Sequence, residues 1–218
     1  IIAITGTNGK TTTTRLIDHI FKLAGNTVGM CTTDGVYIKN RMIYQGDMTG
    51  PMSHKMVLTD PTVDLAVLEC ARGGMLRAGL GFKTCDVGVV TNVSEDHLGL
   101  RGIHTVDQLA RVKSIIPEIV KQDGVAVLNA DDDLVRAMSE KTKGKIIYFS
   151  LDWKNNSTVS NHLKDGETAV VFDDGWLCMM KGQWKYPIVN VKDVPLTFGG
   201  KAKFNILNAL SAAGAAIG

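Results

Sequence analysis

The sequence predicts an α/β protein: a mostly parallel, doubly wound sheet flanked by helices, with a small antiparallel β patch late in the chain. Three observations carry this. The continuous apolar runs Leu65-Ala66-Val67-Leu68, Val87-Gly88-Val89-Val90, Val125 to Leu128 and Ile146 to Phe149 read as strands covered on both faces. Helical patterns lie between them, as crossover connections of a parallel sheet require. The chain also opens on an apolar strand, Ile1 to Ile4, that runs into Gly6-Thr7-Asn8-Gly9-Lys10-Thr11 and then a helix.

That opening is a phosphate-binding arrangement. Glycines let the backbone bend so that successive N–H groups point at phosphate oxygens. The following helix adds the positive end of its dipole. Lys10 supplies a point charge for the outer phosphates and Thr11 a hydroxyl for Mg²⁺, with Thr12 next in line. The general P-loop pattern has a further glycine five residues before Gly9, where this chain has Ile4; the Gly-Lys-Thr core and the strand–helix context are intact.

The remaining elements follow in order. Leu16, Ile17, Ile20, Phe21 and Leu23 mark an amphipathic helix from about Lys10 to Ala24, closed by Gly25-Asn26. Thr27 to Cys31 reads as a strand, and Val36 to Ile38 with Met42 to Tyr44 as a hairpin. A short helix follows the loop Gly46 to Pro51 and stops at Asp60-Pro61. Arg72 to Gly81 is a Gly/Arg-rich loop or frayed helix. Thr105 to Lys121 reads as one helix, and Asp132 as the cap of another through Met138. After Ser150, stretches at Ala169 to Phe172, Trp176 to Met180 and Tyr186 to Val191 read as antiparallel strands, within a patch spanning about 151–200. Ala202 to Ile217 reads as a final helix.

Composition narrows the function. The chain has 218 residues, 44% of them apolar, and a formal net charge of +2. That charge favours neither nucleic acid nor a membrane surface, and no apolar run approaches the ~20 residues that span a bilayer. Cys31, Cys70, Cys85 and Cys178 are widely spaced, the pattern of reduced thiols in a cytoplasmic protein. An opening on a core strand without an initiator Met predicts a piece of a longer protein.

Ligands of open α/β sheets sit beyond the carboxyl ends of strands. The polar residues closing the apolar runs are therefore candidates: Gly6 to Thr11, Glu69, Asn92 and Asn129. Glu69 closes a buried strand, where a carboxylate needs a cation or a metal: Mg²⁺, or a salt bridge to Arg72. His97, in Ser94-Glu95-Asp96-His97, is a metal ligand, an orienting group, or solvated. Lys113 falls on the apolar stripe Val106, Leu109, Ile116 and Val120, so it is either held in the interior or reaches out along its stem. Asp34, Asp47, Arg72 and Arg77 are loop charges at the site's edge, functional or solvated. Asn205 and Asn208 share one face of the last helix and need partners, either a purine edge or a backbone carbonyl.

Gly-Thr-Asn-Gly-Lys-Thr, a strand ending in Glu69, Thr91-Asn92 followed by Asp96-His97-Leu98, Ala110 and Lys113 on one helix, Leu128-Asn129 before Asp131-Asp132, and Asn205 with Asn208 together resemble the central ATP-binding domain of the Mur ligase family. Thr32-Thr33-Asp34-Gly35, Gly46 to Pro51, Glu69 to Arg77 and Cys85 to Asn92 are most similar to the Mur-ligase-like domain of cyanophycin synthetases. The resemblance implies ATP and Mg²⁺ as cofactors. Gly6, Thr7, Asn8, Gly9, Lys10, Thr11, Thr12, Asn92, Asn205 and Asn208 would hold the nucleotide. Thr11, Glu69, His97 and a carbamylated Lys113 would surround the metal, with Lys10, Glu69, His97 and Lys113 as the catalytic set. Thr33, Asp34, Asp47, Arg72 and Arg77 would meet substrate. The implied reaction joins an amino acid, arginine, to a carboxylate of a poly-aspartate acceptor. The implied assembly is a homo-oligomer of the full-length protein, and the implied fold has a small antiparallel sheet beside the main one. Rival expectations are another Mur or folylpolyglutamate-type ligase, and a P-loop NTPase switch without ligase activity.

Overall fold

The computed structural model describes residues 1–95, 99 and 102–218. Its centre is β1 (Ile2–Thr5), four buried residues with a neighbour on each side. α1 (Lys10–Leu23) follows the glycine loop, then β2 (Val28–Cys31) and the hairpin β3 (Gly35–Ile38) and β4 (Arg41–Gln45). α2 (Pro51–Leu58) starts on a proline, whose missing N–H costs nothing in a first turn. β5 (Leu65–Glu69), α3 (Arg72–Ala78) and β6 (Cys85–Val90) come next.

α4 (Val106–Lys113) is shorter than the apolar stripe suggests. A capping box between Thr105 and Gln108 starts it. Pro117 has no N–H to give the carbonyl of Lys113, so the ladder breaks and the separate turn α5 (Ile115–Glu118) forms. Val120, expected on the helix, instead begins β7 (Val120–Asn129) and pairs with Cys85. α6 (Asp133–Arg136) is capped by Asp132, whose carboxylate accepts from the N–H groups of Leu134 and Val135. A 3₁₀ turn over Ala137–Lys141 leads to β8 (Lys145–Ser150).

The region after Ser150 also differs from expectation. α7 (Ser157–Lys164) is capped by Asn156 and buries Val159 and Leu163. β9 (Thr168–Asp173) pairs parallel with β8 on one side and antiparallel with β10 (Trp176–Lys181) on the other. β11 (Trp184–Asn190) ends the sheet. The antiparallel strands thus continue the main sheet instead of standing beside it. Among the described residues the sheet has 11 strands in the order β11-β10-β9-β8-β7-β6-β1-β5-β2-β3-β4. The stretch from β9 to β2 is parallel.

α8 (Lys203–Ile217) lies against β7, β8 and β9 and beside α1. Its small residues permit this: a Cβ on Gly214 would stand 2.7 Å from Val127. Thr13 and Ser211 join the two helices through their hydroxyls at 3.1 Å. Burial pushes the Cys31 and Cys85 thiols up to about 12, so both stay neutral core groups. No helix among the described residues is long and apolar enough to cross a membrane.

Candidate active site at the ends of β1, β5 and β6

Register places the candidate groups. Ile4 pairs with Glu69 of β5 and with Val89 of β6, and Thr5 with Val90. Glu69 therefore ends level with the start of the glycine loop on one side, and Thr91-Asn92 emerges on the other. Gly6 and Gly9 adopt φ of +150° and +83°, in the region that L side chains avoid. A Cβ on Gly6 would fall 1.8 Å from Thr91 Oγ1, and one on Gly9 2.1 Å from Asn208 Oδ1.

The loop is tied down from the β6 side. Thr7 N–H donates to the Asn92 carbonyl at 2.8 Å, and Asn8 N–H to Asn92 Oδ1 at 2.9 Å. Asn92 Nδ2 and Thr91 Oγ1 both donate to the Asn8 carbonyl, at 3.0 and 2.7 Å. No side chain caps α1, and a helix start without a cap suits an anion. Lys10 Nζ donates to the Thr7 carbonyl at 2.7 Å, which holds the ammonium over the loop.

Glu69 is 0% exposed. Its Oε2 accepts from Thr11 Oγ1 at 2.9 Å, and Thr11 Oγ1 lies 3.2 Å from Thr33 Oγ1. Its Oε1 has no hydrogen-bond partner among the described residues. A buried carboxylate oxygen left in this state is costly, and a Mg²⁺ ion, which takes hydroxyl and carboxylate oxygens, would satisfy it. The residues present therefore fit that ion. Burial pushes the Glu69 carboxyl above its ordinary value, opposed chiefly by the Thr11 hydroxyl and then by Lys10.

A stability prediction follows from that shift. An acid whose folded value lies above its unfolded one destabilises the fold as pH rises past the unfolded value, and this cost is complete above the folded value. Glu69→Gln should therefore raise the unfolding free energy of the ligand-free full-length protein, measured by urea titration at pH 8, by about 1 kcal/mol. The gain should shrink as pH falls towards 4.5, the ordinary value. A variant no more stable than wild type at pH 8 contradicts the assignment of Glu69 as a strained buried charge.

Beside the loop lies a cavity of about 700 Å³, bounded by the segment 47–53, α3 and the C-terminal end of α4. Lys10, Thr33, Asp47, Arg72, Arg77 and Lys113 line it. Lys113 is 2% exposed, so it is held in the interior. Asp47 Oδ1 accepts from Thr49 Oγ1 at 2.8 Å. Asp34 goes elsewhere: it pairs with Arg15 at 2.5 Å, on α1, away from the cavity lining. Glu69 takes Thr11, not Arg72, as its polar partner. His97 lies outside the described residues.

On the other side of the loop, Asn208 faces Gly9 and donates to Asn205 Oδ1 at 3.2 Å. Asn205 Nδ2 donates to the Leu196 carbonyl at 2.6 Å, so one of its amide hydrogens is spent on backbone. Phe204, beside them, is 67% exposed. Asn129 is structural: it donates to the Thr91 carbonyl at 2.8 Å. Two residues shape the site beyond what the sequence assigns them: Asp132, read as a helix cap alone, and His54, which carries no motif. Asp132 also accepts from Val93 N–H at 2.7 Å, anchoring the loop after β6. His54, on α2, sits directly behind Glu69.

Residues 4–216 match the Mur ligase middle domain. The chain belongs to the Mur ligase family. This Mur ligase domain is 54% identical over 212 residues to cyanophycin synthetase of Crocosphaera subtropica, covering 97% of the chain and 24% of that protein. It is 27% identical over 234 residues to UDP-N-acetylmuramoyl-L-alanyl-D-glutamate–2,6-diaminopimelate ligase of Bacillus velezensis, covering the whole chain and 43% of that ligase. A solved structure of a ligase with that name superposes with a TM-score of 0.72 at 22% identity, over 97% of the chain and 41% of that structure. The domain thus spans about a quarter of the length of the cyanophycin synthetase it matches. The family read from motifs along the chain and the mostly parallel α/β fold read from the apolar runs are both borne out.

Proposed function

We propose that this Mur ligase domain performs ATP-dependent amide formation, joining the amine of an amino acid, arginine, to a side-chain carboxylate of a poly-aspartate acceptor. The observation that carries the reading is the Lys10 loop set beside Glu69, next to a cavity lined by Arg72, Arg77 and Lys113. High identity to proteins named cyanophycin synthetase supports the choice among ligases.

The chain's residues divide the chemistry. The acceptor carboxylate attacks the γ-phosphorus of ATP, giving an acyl phosphate and ADP. The amine then attacks the acyl carbon, phosphate leaves, and the amine loses a proton. Catalysis in this scheme is positioning and charge neutralisation. The loop N–H groups and Lys10 orient the triphosphate. Arg72 and Arg77 hold acceptor carboxylates, and Asp47 and Thr33 face the incoming groups. Asn205, Asn208 and the exposed Phe204 would meet the base. Thr11, Glu69 and His97 would hold Mg²⁺, with Lys113 at a second ion once carbamylated. A Mg²⁺ ion held by these residues would supply charge neutralisation for the transferred phosphoryl group.

Carbamylation would turn the Lys113 cation into an anion able to hold a second Mg²⁺. Lys113→Ala should lower ligation by about a hundredfold, in the range of a group that acts on developing charge. Added bicarbonate should raise wild-type activity and leave the variant unchanged. The intact mass of an active preparation should include one carbamoyl group; an unmodified Lys113 in an active enzyme contradicts this role.

The deciding experiment is incorporation of labelled amino acids into poly-aspartate by the full-length protein with ATP. Arginine should be incorporated and other amino acids not. Incorporation into a glutamate or muramyl-peptide acceptor instead would favour the other ligases of this fold.

A further inference from the structure

α2 carries a histidine that the ligase chemistry leaves unused. His54 is 0% exposed. Its Nδ1 accepts from the Gly81 N–H at 3.2 Å. The proton therefore sits on Nε2, which donates to the main-chain carbonyl of Glu69 at 3.2 Å. Phe82 tilts against the ring with centroids 5.2 Å apart, and Cys70 Sγ lies 3.8 Å from Nε2. Gly81 approaches so closely that a Cβ there would stand 2.6 Å from His54 Cβ and from the Pro51 carbonyl.

One imidazole thus joins three segments: α2, the last residue of β5, and the loop between α3 and β6. Those segments bear the site. The 47–53 stretch that leads into α2 forms one cavity wall, and α3 brings Arg72 and Arg77 to the other. Between them Glu69 presents its carboxylate to Thr11. A leucine would fill the same volume without desolvating a polar ring, so the two hydrogen bonds are what the histidine adds.

We infer that His54 is a positioning residue for the Glu69 carboxylate: it grips the Glu69 carbonyl from behind and so keeps the carboxylate against Thr11, turned towards the metal of Mg·ATP. The inference rests on the reading of Glu69 as a magnesium-binding group.

Two near-isosteric substitutions separate the two hydrogen bonds. His54→Asn keeps an acceptor where Nδ1 stood and loses the donor to Glu69. His54→Gln keeps that donor and loses the acceptor for Gly81. The readout is binding of a fluorescent ATP analogue to the full-length protein, first in EDTA and then across a Mg²⁺ titration. In EDTA both variants should bind as wild type does. His54→Asn should raise the Mg²⁺ concentration at half-effect about tenfold, and His54→Gln less than threefold. In a Glu69→Gln background, His54→Asn should add nothing.

Equal shifts from both variants, or no shift from His54→Asn where Glu69→Gln produces one, overturn the inference and leave the reading of Glu69 standing. No shift from Glu69→Gln itself overturns both. If neither His54 variant folds, hydrogen exchange on the wild-type protein decides. Adding Mg²⁺ to the nucleotide complex should slow exchange in peptides containing Gly81, and unchanged exchange there overturns the inference.

Discussion

Lys10→Ala in the full-length protein is expected to abolish the proposed ATP-dependent ligation, with kcat/KM falling at least about a thousandfold, or roughly 4 kcal/mol of lost transition-state stabilisation. The ammonium is placed over the loop by the Thr7 carbonyl, 2.7 Å away. Arg72, Arg77 and Lys113 line the same cavity from α3 and α4, whereas Lys10 belongs to the loop itself. Phosphoryl transfer leaves little for the protein to do except position groups and neutralise charge, so loss of this point charge is not offset by the loop N–H groups. The variant should unfold at the wild-type denaturant concentration, since Lys10 is a half-buried surface group. Turnover close to wild type in a steady-state ligation assay contradicts the phosphate-loop role.

Gly9→Ala is expected to have the next largest effect, on both binding and stability. Gly9 sits at φ +83°, where an alanine costs about 1–2 kcal/mol. Its Cβ would also stand 2.1 Å from Asn208 Oδ1. Asn208 is buried and tied to Asn205, which is itself tied to the Leu196 carbonyl. Relief of the clash therefore moves the amide pair assigned to the base as well as the loop assigned to the phosphates. ATP affinity should fall by about a hundredfold, the consequence of ~3 kcal/mol of lost or strained contacts, and the thermal midpoint should drop by several degrees. Calorimetric titration with Mg·ATP and a melting curve check the two effects. Wild-type affinity would mean that Asn208 and the loop do not act as one unit.

Much of this is legible in the sequence. The strand–glycine–helix opening, Glu69 at a strand end and Asn92 at another are local signals, and parallel register alone brings the three together. Lys113 is legible as a conflict, a cation on an apolar stripe with burial and reaching outward both open, and the structure buries it. What escaped depends on long-range partners. His54 carries no motif; its role appears only when Glu69 and Gly81 close on it from 15 and 27 residues away. Asp34 looked equivalent to Asp47, but Arg15 claims it from one turn along α1. The helix through Lys121 was over-extended because apolar spacing survives the break that Pro117 makes in the hydrogen-bond ladder. α7 falls inside the stretch read as an antiparallel patch, although Asn156, Val159 and Leu163 carry a cap and an i, i+4 pair.

The most direct measurement is the coupling of phosphate release to amide formation by the full-length protein, with acceptor and amino acid each omitted in turn. A ligase of the kind argued above releases one phosphate for each amide formed, and steady release stops when either substrate is missing. Steady phosphate release that continues without acceptor and amino acid would identify a nucleotide-driven switch and contradict the account.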